Sequence, residues 1–104
     1  MYSHVFDIWD SKEKKLYKKL DQQALALRAS LLSRADCYLI HHIGQKAHNG
    51  RDMRHGDILN QVVDNEKYIV AWDNGEYVLR NRYGQKALFM SEKYEVIDNK
   101  FEQI

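Results

Sequence analysis

No proline occurs among the 104 residues, cysteine occurs once, and glycine only five times. Without proline the usual marker of a flexible linker is missing, which favours one continuous domain over residues 1–104. A lone cysteine, Cys37, cannot staple the chain to itself, so the fold must stand on packing alone, as suits a reducing cytoplasm. Long apolar runs are also lacking, and the first twenty residues carry His4, Asp7, Asp10 and a lysine-rich stretch. Neither a secretion signal nor a membrane span is expected. Nor does one sign of charge dominate. Sixteen lysines and arginines face fifteen acids, and a net charge of +1 argues against a protein whose main task is to coat nucleic acid or an acidic membrane. A chain of this length buries about two thirds of its unfolded surface, so no deep two-domain cleft is expected.

What is present divides at Asp36. Asp21 to Ala35 is rich in strong helix formers, and Ala24, Leu27 and Leu31 recur three and four residues apart, the spacing of an amphipathic helix with one buried stripe. Its start is open. Tyr17 and Leu20 continue the spacing upstream to a capping residue at Ser11, which favours a long helix slightly. The competing reading has strands at 4–9 and 14–18 with a polar turn between them.

After Asp36 come short β-branched and aromatic runs separated by glycines, the pattern of small antiparallel strands closing a sheet or barrel. The clearest local signal is Asn74-Gly75, whose residues tolerate the positive φ of a type I′ hairpin turn. Taking them as the loop pairs Trp72 with Tyr77 and Val70 with Leu79 on one face. The opposite face carries Ile69, Ala71 and Val78, so the sheet is apolar on both sides and needs two covers: a barrel interior, and either the helix or a second subunit. Gly-Gln-Lys-Ala occurs at 44–47 and again at 84–87, read as two similar turns.

The segment from Gly44 to Leu59, with Asn49-Gly50 and then Gly56-Asp57-Ile58, resembles the hallmark of the YopX-like phage proteins, and Tyr68 to Leu79 resembles the strand, Asn-Gly and aromatic strand that follow it there. Phe6 to Asp10 with Leu16-Tyr17 is similar to that family's opening hairpin. The matched pieces cover about half the chain. Arg54 and His55 depart from the pattern ahead of Gly56, and nothing beyond Tyr94 has a counterpart. The resemblance implies a β-rich α+β fold: a hairpin over 1–20, one helix over 21–36, an SH3-like small barrel over 37–98 and a tail over 99–104. It also implies a phage or prophage accessory protein without enzymatic activity.

The motif itself needs no chemistry. Asn49, Gly50, Gly56, Asp57, Asn74 and Gly75 are read as structural turn residues, with Asp57 bonding backbone groups at the entry to the next strand. His41, His42, His48 and His55 lie close in sequence to Cys37. Zinc needs three or four converging ligands, and neighbours on a strand point to opposite faces, so no metal or other cofactor is expected; were one bound, its ligands would be Cys37, His41, His48 and His55. A nuclease-like reading of His41-His42 lacks the downstream histidine and helix, and no serine or cysteine sits in a nucleophile context. The expected job is binding a host or phage protein, since seven tyrosines and two tryptophans exceed what a small barrel encloses. Arg51, Arg54, His55, Arg80, Arg82 and Tyr83 are the candidate contact residues, and self-assembly would cover an exposed edge. The alternative is nucleic-acid binding in the manner of Tudor and KOW barrels, through arginine, lysine and exposed tyrosine. Against it, residues 64–104 hold eight acids and six bases.

Overall fold

The computed structural model describes residues 5–88 and 91–104. Nine strands and two short helices follow one another as β1 (Phe6–Asp10), β2 (Lys15–Leu20), α1 (Gln22–Leu27), α2 (Ala29–Leu32), β3 (Cys37–Lys46), β4 (Asp52–Arg54), β5 (Asp57–Gln61), β6 (Lys67–Asp73), β7 (Glu76–Asn81), β8 (Gly84–Ala87) and β9 (Tyr94–Asn99), with 3-10 turns at Ser91–Lys93 and Phe101–Gln103. The fold is strand-rich and antiparallel. Among the described residues no helix is long and apolar enough to cross a membrane.

β1 and β2 pair as a hairpin, which resolves the ambiguity of residues 11–20. Asp10 makes the turn: its Oδ1 accepts the backbone N–H groups of Lys12 and Glu13, a local bond that competes with helix formation. Farther along, the register slips between Phe6 and Ile8, and Lys19 sits at φ 54°. An extra residue on β2 therefore makes a β-bulge.

The strands form two sheets, in the orders β2-β1-β3-β4 and β8-β7-β6-β5-β9. That differs from a closed barrel over 37–98: among the described residues no ladder joins the sheets. Their junction is stitched by single bonds instead, from His48 N–H to the Tyr94 carbonyl and from Gly56 N–H to the Val70 carbonyl. Between the sheets, Ile43, Ala47, Met53, Leu59, Val70, Tyr77, Leu79, Tyr94 and Val96 form the core. The β6–β7 hairpin has the pairing Trp72↔Tyr77 and Val70↔Leu79, with Asn74 at φ 50° and Gly75 at φ 86°. Gly-Gln-Lys-Ala at 44–47 and 84–87 lies mainly in β3 and β8, so these are strand segments rather than turns.

The single helix over 21–36 is two pieces. Asp21 caps α1 by accepting the Ala24 N–H, but Arg28 leaves helical geometry at φ −110°, and its guanidinium lies over the Tyr17 ring. The break turns Leu27 outward, 84% exposed, while Leu25, Leu31 and Leu32 are half-buried. The stripe through Ala24, Leu27 and Leu31 therefore does not exist as one face, since it requires an unbroken 3.6-residue repeat. α1 packs on β2 and α2 on β3.

Candidate functional site

Two surface features and one interior cluster gather the polar chemistry of the molecule. The interior cluster lies where β1, β3, β4, β5 and the last 3-10 turn meet. Asp7 Oδ2 accepts from Arg54 Nη1 at 2.6 Å, while Asp7 Oδ1 accepts from His42 Nε2 at 2.8 Å and from the Lys19 N–H at 2.8 Å. Arg54 Nη1 also donates to Glu102 at 3.1 Å, and Arg54 Nη2 lies 3.7 Å from Asp57. Asp57 further accepts the Arg54 N–H and the Asn99 amide.

Burial opposes the charge on Asp7, but the bonds from His42, the Lys19 N–H and Arg54 outweigh it and hold the carboxyl below its usual range. At Asp57 burial wins over the Asn99 and Arg54 bonds and pushes the carboxyl up to about 6. Arg54 was expected at the surface; it is 6% exposed, because three carboxylates enclose its guanidinium. His55, also expected to be exposed, is half-buried between Tyr77 and Phe101, their ring centroids 5.4 and 5.5 Å away. Burial lowers its pKa, helped by Lys100 and His41.

Residues 99–104, read as a tail, complete this junction. Asn99 is fully buried, Phe101 stacks near Tyr38, and Gly56 at φ 82° faces the Phe101 ring so closely that a Cβ there would lie 2.6 Å from it. Of the other turn positions, Gly50 has φ 78°, and the Asn49 amide donates to the Val96 carbonyl.

Beside the cluster, a cleft of about 390 Å³ opens between β2, β3 and β4. Lys18, Lys19, Lys46 and Arg51 rim it, Asp52 bridges Lys46 at 2.9 Å and Lys19 at 3.6 Å, and His42 lines its wall. Arg51 alone of the predicted contact residues is exposed here.

The second surface feature is a groove of about 510 Å³ on the outer face of the five-stranded sheet, with Ile58 and Ile69 in its lining and Arg80 and Arg82 at its border. Arg80 reaches Gln85 and lies 3.9 Å from Asp73; Arg82 covers the ring of Tyr83, which is 73% exposed. Next to it, Lys86 lies 4.4 Å from the Tyr68 ring centroid, and the tyrosine contacts raise its pKa, that with Tyr94 foremost. The six predicted contact residues thus fall in three places rather than on one surface.

The histidines and cysteine do not converge either. Among the described residues the only three ligand atoms within 4.8 Å of one another belong to Asp10, Asp36 and Cys37. Arg34 already pairs with both of those carboxylates, and burial raises the Cys37 pKa, with Asp10 adding to it. His41 shares a 2.8 Å hydrogen bond with Tyr77 and stacks on Phe6, whereas His48 is exposed at the end of β3.

Sequence reading missed Asp7, Asn99 and Glu102, and weighed His42 only as a metal or nuclease residue, because their partners are distant along the chain. It missed Lys18 and Lys19 because the bulge that brings both to one cleft has no sequence signature. The chain matches no family model and no curated protein.

Proposed function

We propose that the protein is a non-enzymatic phage or prophage accessory factor of the YopX-like kind that works in the host cytoplasm by binding a host or phage protein. The carrying observation is the outer face of the five-stranded sheet, on which no helix packs among the described residues. Ile58 and Ile69 line a groove there, while both helices pack on the other sheet. An apolar strip bordered by arginine and tyrosine has the composition of an interface centre. Arg80 and Arg82 supply the border, and Tyr83 lies beside it under the Arg82 guanidinium. The finer fold assignment, an SH3-like barrel, is supported by the order β8-β7-β6-β5-β9, an antiparallel meander in which the last strand returns beside the first. A second copy of the chain is the other occupant that this face would accept.

The test is affinity capture from host lysate with the wild-type chain and with an Arg82→Glu, Tyr83→Ala double variant. Both substitutions are exposed, so the fold is retained. A protein captured stoichiometrically by the wild type and lost with the variant is the expected result. Equal capture by both chains overturns the assignment of this face. Salt-sensitive binding of oligonucleotides that disappears on Arg51→Glu with Arg82→Glu would instead favour a nucleic-acid function.

A further inference from the structure

The cleft beside His42 forms where two strands break register together. On β2 the bulge places Lys19 at φ 54°, outside the range lysine ordinarily adopts, and brings both Lys18 and Lys19 to the cleft, whereas neighbours on a regular strand would diverge. On β3 the pairing slips between His42 and Lys46 around Gly44, at φ 81°. A non-glycine residue held in such a conformation points to a local task that outweighs its cost.

Four cations and one carboxylate, Asp52, lie around the rim. Asp52 fixes Lys19 and Lys46 side by side, and among the described residues neither Lys18 nor Arg51 forms an ion pair; Arg51 donates only to the Val96 carbonyl, at 3.4 Å. The carboxylates deeper in the wall, Asp7 and Glu102, are already engaged by Arg54. The rim therefore suits an anion.

His42 stands in the wall. Its Nε2 donates to the Asp7 carboxylate at 2.8 Å, which fixes the ring. Nine-tenths of the side chain is buried, yet the residue lines the cleft. The cations at the rim set several donors around one opening, and a phosphate monoester offers them three unesterified oxygens where a phosphodiester offers two.

We propose that this cleft binds a phosphate monoester, held through its oxygens by Lys18, Lys19 and Arg51 against the wall that His42 helps to form. The site has no residue in common with the groove on the other sheet, so either assignment can fail without the other.

The experiment is an NMR titration that follows the His42 ring and Arg51 side-chain resonances. The probes are inorganic phosphate, sulfate, and a single-stranded oligonucleotide with and without a 5′-phosphate. Saturable shifts of His42 and Arg51 with phosphate and with sulfate, its tetrahedral analogue, and loss of both responses in Lys18→Glu with Arg51→Glu are expected. Because both substituted residues are exposed, that variant keeps its fold, which its unchanged core resonances will verify. Tighter binding of the 5′-phosphorylated oligonucleotide than of free phosphate assigns the group to a polynucleotide end; equal or weaker binding assigns it to a small ester. Saturation of the Arg51 shift by the unphosphorylated oligonucleotide, or phosphate shifts spread over all surface lysines without His42 and Arg51, would each overturn the proposal.

Discussion

Arg54 Nη1 donates to Asp7 Oδ2 at 2.6 Å, tying β4 to β1 across 47 residues of chain. This contact lies in the interior, where removing one member of an ionic cluster leaves the others charged and unmatched. Arg54→Met should therefore destabilise the protein by about 3–5 kcal/mol, because Asp7, Asp57 and Glu102 lose their shared cation. Arg51→Ala, on the solvent side of the same corner, should change stability by less than about 0.5 kcal/mol. Urea denaturation of the two variants decides the point; similar small losses in both would contradict the buried network.

Asp57 gives the molecule an uncommon dependence on pH. Its carboxyl titrates at about 6 in the folded chain against an ordinary 3.8, so between those values the native state holds more protons than the unfolded one. Stability from this group is complete below the lower value and is lost as pH rises through the higher, by at most about 3 kcal/mol. Asp7, held below its usual range, acts in the opposite sense: its contribution is present at neutral pH and disappears on strong acidification. His55, whose pKa burial lowers, works against this limb, since its contribution grows as pH rises, so the comparison is between chains: from pH 4 to 7 the denaturation midpoint of Asp57→Asn should gain on that of the wild type. A difference that stays constant over this range would assign the pH dependence to another group.

Two glycines with nearly equal φ make an internal comparison. Gly50, at 78°, has no atom within 4 Å of an added Cβ, and Gly56, at 82°, has the Phe101 ring at 2.6 Å. Gly50→Ala should cost about 1–2 kcal/mol from the left-handed backbone alone. Gly56→Ala should cost at least about 1 kcal/mol more, because the ring must move as well. Equal thermal shifts would show that Phe101 yields freely.

Leu27 stands in solvent although its sequence spacing reads as core. Leu27→Lys should leave the denaturation midpoint within about 0.5 kcal/mol of wild type, whereas Leu59→Ala, at a fully buried position, should cost about 2–5 kcal/mol. A large loss at Leu27 would mean that this face is covered in solution.

The β6–β7 hairpin was legible because its determinants are adjacent: two residues able to hold positive φ, flanked by alternating apolar side chains. The first hairpin was not, since Tyr17 and Leu20 satisfy helical and strand spacing alike and the Asx bonds of Asp10 decide between them. Arg54 was misplaced for a general reason. Charged side chains are rarely buried unless paired, and its partners lie at positions 7, 57 and 102, beyond the reach of any local pattern. Likewise, periodicity located the helix-forming stretch but carried no information about the break at Arg28.

The 3-10 turn at Phe101–Gln103 has a consequence for synthesis. A ribosome that has released everything through Asp98 has made every strand pairing except that of Asn99, yet Arg54 still lacks Glu102, Asp57 lacks Asn99, and the hollow at Gly56 lacks its aromatic ring. The nascent polypeptide must hold this corner loosely until residues 99–102 emerge; a message stopped ahead of Asn99 should yield a product that chaperones and proteases recognise as unfinished.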